Sequence, residues 1–245
     1  GTTLGGDDGI AVAYALAILD DDSIAHPRLE FVCTVSEEVG MEGASSIDVS
    51  MLKGKKLLNM DSEEEGIMLA SCAGGCSSRV TLKLDKNKIT GTKLGITLSG
   101  LTGGHSGVEI DKGRGNANVL MSRILRDAMI DNNVYLAAFN GGRKDNAIPR
   151  ECMAEIIVAA DKAADVKAAI ENTAKEIKEE FATSDADLKC VIDISEGFSA
   201  EAVTYEDSIR AVSLIQSLPN GIMRMSQDID NLVETSLNLG VVSLD

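Results

Sequence analysis

The apolar positions of this chain fall into short runs whose spacing predicts alternating helices and strands. Residues 9–19 are small and apolar throughout, which predicts a buried helix closed by the polar run 20–23. Residues 29–35 and 56–60 read as short strands, each followed by a polar loop at 36–43 and 61–66. Residues 46–52 read as a short helix between them. Helix, strand, helix, strand in that order implies a parallel sheet with covering helices.

The texture changes after Gly66. Residues 67–70, 78–84 and 95–99 read as strands, with alternation in places. Residues 115–130 predict a helix, and 135–140 and 153–159 two antiparallel strands joined by the loop 141–150. Residues 165–181 are amphipathic, with Val166, Ile170, Ala174, Ile177 and Phe181 on one helical face. A strand at 188–194 and a helix at 205–218 follow. The order strand, helix, strand, strand, helix, strand is that of an α+β sandwich. The expected fold class is therefore α/β, with a parallel-sheet domain over 1–74 and an α+β domain over 75–245. Ala-Gly-Gly-Cys at 73–76 supplies the crossing between them.

Composition narrows the function. The chain has 245 residues, 44% hydrophobic and 25% charged, which suits a packed globular core. Lys and Arg number 23 against 39 Asp and Glu, a formal charge of −16. Such a chain repels phosphate backbones, and with aromatics at 3% and no Trp it offers no stacking platform for bases. Nucleic acid is not an expected partner; cations are, if the acids cluster. No apolar run approaches the roughly 18 residues a membrane helix needs, so no membrane is expected either. Five Cys, an odd and small number, suggest reduced thiols and a cytoplasmic setting. Cys72 and Cys76 lack the spacing of a zinc knuckle and read as small buried residues. The chain opens without a basic, apolar leader and ends on Leu-Gly-Val-Val-Ser-Leu-Asp, which reads as an interrupted strand. A piece of a longer protein is the expectation.

Three acidic spots share one predicted position: Asp7 and Asp8 before the first helix, Glu37 and Glu38 after the strand ending at Val35, and Asp61 after the strand ending at Met60. In a parallel sheet these fall at the carboxyl edge, where ligands bind. Carboxylates gathered there repel unless a cation or proton lies between them. Acids are also common in loops of a chain this acidic, so position alone leaves the metal reading open. His26, before Pro27, reads as a surface or packing residue. His105, in Thr-Gly-Gly-His-Ser-Gly, sits among glycines that allow close backbone approach, and reads either as a turn residue or as a substrate or oxyanion contact.

The runs Thr-Thr-Leu-Gly-Gly-Asp-Asp-Gly-Ile, Thr-Val-Ser-Glu-Glu-Val-Gly-Met-Glu-Gly-Ala, Leu-Leu-Asn-Met-Asp-Ser-Glu-Glu-Glu-Gly and Gly-Gly-His-Ser-Gly occur in order. Together with Gly-Arg-Gly-Asn-Ala and Asn-Ala-Ile-Pro-Arg-Glu-Cys, they make the chain resemble the di-zinc exopeptidases, the family of aminoacyl-histidine dipeptidases, carnosinase and aminoacylase. The resemblance implies a dipeptidase that cleaves Xaa-His and other unblocked dipeptides with a zinc-bound hydroxide. It implies that Asp7 bridges two zinc ions, that Glu38 and Asp61 each bind one, and that Glu37 is the general base. It implies that His105 and Asn146 contact substrate from a lid domain that also forms a homodimer, and that the Asp7–Asp8 peptide is cis. The family carries a His-x-Asp motif upstream of this stretch and a further zinc-binding His downstream, so the chain resembles the middle of such an enzyme. That implies a fragment inactive alone. Two other readings stay open: a non-catalytic relative or isolated dimerisation module, and an amidohydrolase acting on acylated amino acids.

Overall fold

Asp8 stands immediately before an apolar run, and its Oδ1 accepts a hydrogen bond from the Ala11 N–H at 3.2 Å. That cap starts helix α1 (Gly9–Asp20). The structure, a computed structural model, describes residues 6–62 and 65–244 and divides into two units, Gly1–Gly75 and Cys76–Asp245.

In the first unit α1 forms where the sequence predicts a helix, but none of its residues is buried: Ile10 and Leu16 are 60% and 58% exposed. A helix apolar on all sides needs cover on all sides, and the described residues do not provide it. The strands expected at 29–35 and 56–60, and the parallel sheet they imply, are not formed among the described residues. Val35 is 71% and Leu57 90% exposed. A parallel strand is stable only with hydrogen-bonded neighbours and both faces covered, and these stretches have neither. The helix expected at 46–52 is displaced: α2 (Glu42–Ser46) precedes a 3-10 turn, Val49–Met51, at which Asp48 accepts from the Ser50 N–H at 2.9 Å.

The second unit follows its alternation. Strand β1 (Lys86–Ser99) places Leu94, Ile96 and Leu98 on one face, each at most 1% exposed. The chain continues through β2 (Gly104–His105), helix α3 (Ala117–Ala128), β3 (Tyr135–Gly141), β4 (Ala147–Ile148) and β5 (Cys152–Val158). Helix α4 (Ala163–Glu180), β6 (Lys189–Val203) and helix α5 (Tyr205–Ser217) come next. Strands β7 (Gly221–Met225), β8 (Val233–Leu237) and β9 (Val242–Ser243) complete it. The main sheet has five strands in the order β6-β1-β5-β3-β9, and every pair in it is antiparallel. Helix α3 packs between α4 and α5, and its Leu120, Met121, Ile124 and Leu125 join β1, β3 and β5 in one core. On the opposite side of the sheet Lys93 pairs with Glu155 at 2.9 Å and lies over the Phe198 ring.

The helix-and-sheet architecture thus stands, but its sheet belongs to the second unit. Strands expected at 67–70 and 78–84 do not form; β1 begins only at Lys86. Cys72 and Cys76, expected to be buried, are exposed, because that stretch lies in no sheet or helix that would cover it. Among the described residues no helix is long and apolar enough to cross a membrane.

Candidate functional site

The acidic turn of the first unit is built around Gly43. Its N–H donates to the Val35 carbonyl at 3.0 Å, and a Cβ there would stand 2.5 Å from the Val35 nitrogen. Only glycine permits that closure. Between these ends lie Glu37 and Glu38 in a 3-10 turn (Glu37–Val39), flanked by Ser36 and Met41 in left-handed backbone at φ 59 and 54. Both glutamates are exposed, as is Asp61 in irregular chain and Asp7 in the turn before α1. The Asp7–Asp8 peptide is cis. Contrary to the expected geometry, Asp7, Glu38 and Asp61 do not converge: no group of three or more His, Cys, Asp or Glu able to hold a metal occurs among the described residues. The sheet edge that would align them is not formed, so nothing sets their spacing.

The second unit does bring its two candidates together. Strands β2 and β4 pair antiparallel, with His105 opposite Ala147, and the Ser106 N–H donates to the Asn146 carbonyl at 2.9 Å. Asn146 thus lies just before β4, one position along from the residue opposite His105, and both residues are exposed. Asn238 braces the Asn146 loop by donating to the Asp145 and Ala147 carbonyls at 2.9 and 2.8 Å. Gly104, at φ +138, holds a backbone conformation that side chains rarely adopt, and a Cβ there would displace the ends of the Arg114 and Glu109 side chains.

Sequence reasoning missed the groups that hold His105. Glu109 Oε2 accepts the His105 backbone N–H at 2.8 Å, and Arg114 pairs with Glu109 at 2.9 Å while also donating to the Gly103 carbonyl. The His105 N–H first, and Arg114 second, hold the Glu109 carboxyl below the usual carboxylate range. Arg114 lies inside Gly-Arg-Gly-Asn-Ala, a run visible in the sequence, but only the fold shows that it reaches back to His105. Asp185 anchors both ends of this loop, accepting from Thr102 N–H at 2.8 Å and Gly115 N–H at 2.9 Å.

Comparison with known proteins places this geometry. Residues 96–185 match the family model of the peptidase dimerisation domain. The chain is 42% identical over 247 residues to the cytosol non-specific dipeptidase of Escherichia coli (strain K12), covering 100% of this chain and 50% of that protein. It is 25% identical over 233 residues to the uncharacterized protein YqjE of Bacillus subtilis (strain 168), covering 92% of this chain and 57% of that one. The crystal structure of aminoacylhistidine dipeptidase from Vibrio alginolyticus matches with a TM-score of 0.71 and 32% identity, over 100% of this chain and 50% of that chain. The chain spans about half the length of the curated relatives it matches. Similarity thus runs along the whole of this chain to half the length of the aminoacylhistidine and cytosol non-specific dipeptidases, and the second unit carries the match to the peptidase dimerisation domain.

Proposed function

We propose that this chain is part of a metal-dependent cytoplasmic dipeptidase that hydrolyses Xaa-His and other unblocked dipeptides and works as a homodimer. The observation that carries the reading is the 42% identity to the cytosol non-specific dipeptidase across the whole chain. Residues 1–74 then contribute carboxylates to the metal-binding domain, and residues 75–245 form the lid and dimerisation domain. Asp7, Glu38 and Asp61 are the proposed metal carboxylates of the complete protein, and the metal proposed for it is a pair of zinc ions. The donors of this stretch are oxygen only and stand apart, whereas zinc prefers sites that include nitrogen or sulfur. These residues alone therefore do not fit a zinc pair.

Glu37, next to the proposed ligand Glu38, is left free of metal and suits proton transfer, the work of a general base. His105 on β2 and Asn146 just before β4, both exposed, suit polar contact with the peptide group. The test is dipeptide hydrolysis by the complete gene product. Turnover that falls at least about a hundredfold on Glu37→Gln, with metal content unchanged, is the expected result. The absence of a grouped metal site among the described residues favours one second reading, a non-catalytic dimerisation module. A complete product that dimerises but cleaves no dipeptide would establish it.

A further inference from the structure

Helix α4 and the strand β6 border a groove that the proposed hydrolysis does not use. Strand β6 is the outermost of the five-stranded sheet, and α4 packs beside it with a cavity of about 390 Å³ between them. Four of the residues that line it are lysines: Lys167, Lys175 and Lys178 of α4 and Lys189 of β6. Lys167, Glu171, Ala174 and Lys178 recur at steps of four, three and four, so they share one stripe of the helix. From the strand, Cys190 and Ile192 stand opposite Leu98 and Ile96 of β1, and with Ala174 and Leu188 they give the groove an apolar floor.

In a chain of formal charge −16, four lysines against one glutamate, Glu171, leave three positive charges in excess in one groove. Lys167 pairs with Glu171 at 3.4 Å and Lys175 with Glu179 at 3.9 Å, exposed pairs of the kind that contribute least. Lys178 and Lys189 have no ion-pair partner among the described residues. Cys190 adds no negative charge: burial first, and the Glu171 carboxylate second, push its thiol up to about 11. Lysine on an edge strand also guards against pairing with another strand. That accounts for Lys189, but not for the three lysines on the helix. A second copy of the chain is a poor occupant, because pairing the two edges would set these lysines against their own equivalents.

We propose that this groove binds a soluble organophosphate, a phosphate head on a short aliphatic body, with the head held by Lys178 and Lys189 and the body against Ala174, Leu188 and Ile192. A phosphate monoester carries a charge of about −2, which answers an excess of three positive charges better than a single carboxylate does. Lysine serves phosphate as a point charge. No aromatic residue lines the groove, so a nucleobase finds no stacking partner there. Its volume lies near the lower end of ligand pockets, roughly 300–1,000 Å³, which limits the body to a short chain. The assignment does not rest on the dipeptidase reading.

The probe is octyl phosphate, and the readout is Cys190, whose alkylation by N-ethylmaleimide in the complete gene product is followed by peptide mass spectrometry. Saturating octyl phosphate is expected to abolish that alkylation. Lys178→Gln and Lys189→Gln should each raise the half-protecting concentration about tenfold or more, the loss of one hydrogen bond to a charged group. Lys88→Gln, on β1 outside the groove, should leave it unchanged. Inorganic phosphate, which has no apolar body, should need at least about ten times the concentration. Calorimetry of the same titration, wild type against the Lys178→Gln/Lys189→Gln double variant, gives the affinity independently of the thiol. Equal heats for the two proteins, or no heat with either, overturn the proposal, as does protection of Cys190 that survives both substitutions. Octanoate that protects at the same concentration overturns the phosphate head. Phosphatidate vesicles that protect where octyl phosphate does not overturn the soluble ligand.

Discussion

Asp185 is a carboxylate almost wholly withdrawn from water, at 1% exposure, and it survives there because three donors face it: Thr102 N–H, Gly115 N–H and the Ser184 hydroxyl at 2.8 Å. Hydrogen bonds to a charged group are the stronger kind, and removing the acceptor leaves its donors unpaired. Asp185→Ala is expected to cost about 3 kcal/mol, seen as a lower urea midpoint with an unchanged slope. Asp185→Asn, which keeps one acceptor oxygen, should lose less. Because Thr102 and Gly115 bracket the His105 loop, the same variant should also broaden His105 signals. Glu109 gives a pH signature in that loop. Its folded pKa is lowered by the His105 N–H and Arg114, so its contribution is present above the unfolded value of about 4.3 and is lost as pH falls through the folded one. A carbonyl-carbon NMR titration should place Glu109 below exposed glutamates of the same chain, and the His105 amide proton should shift upfield along the same curve. A midpoint at the ordinary value would mean that the His105–Glu109 bond is not held in solution.

At the scale of elements, the stable parts are those whose local pattern and partners agree. Helix α4 was legible because Val166, Ile170, Ala174 and Ile177 recur at helical spacing, and all four are buried. The strand pair β3–β5 was legible because both runs are mainly apolar, with Tyr135 and Phe139 in one and Ile156, Ile157 and Val158 in the other, and lie close in sequence. Residues 29–35 and 56–60 have equally apolar runs and form no ladder, because a parallel strand depends on neighbours that local sequence does not specify. The β7–β8 hairpin went unread for the opposite reason: its register shifts at Ile222/Arg224 and Arg224/Met225 break the alternation that marks a strand. The candidate site was legible as residue types, His105 and Asn146 among them, but not as a network, since the contacts that Glu109, Arg114 and Asp185 make around this loop exist only in the folded chain. Two substitutions probe the core these elements make. Leu94→Ala, at a position 0% exposed, should cost about 3 kcal/mol. Asn116 caps α3 through Asn118 and Val119 and also donates to Asn220 and Asn238. Asn116→Ala should therefore exceed the roughly 1 kcal/mol of an ordinary cap, and a loss at or below that figure would mean that the Asn220 and Asn238 contacts contribute nothing.

For the molecule as a whole, the two units face different thermodynamic problems. The second has a shared core of three helices on a five-stranded sheet and is expected to unfold as one cooperative body. The first has a helix with no buried residue and four candidate carboxylates in exposed chain, Asp7, Glu37, Glu38 and Asp61. Nothing among the described residues spaces the three proposed ligands for a metal. With a formal charge of −16, divalent cations will still be attracted, but attraction is not a site. Fixed geometry and a nitrogen or sulfur ligand are what make zinc binding tight, and the carboxylates of this stretch bring neither. The 245-residue chain alone is therefore expected to lose added zinc on gel filtration and to leave dipeptides intact. The complete gene product should keep zinc through the same column and turn dipeptides over. Its Glu37→Gln variant should keep the zinc and lose the turnover, whereas Asp7→Asn should lose both, since one residue is proposed to move protons and the other to hold metal. Stoichiometric zinc retained by the 245-residue chain would show that these carboxylates do gather in solution, and that other residues of this stretch complete the site.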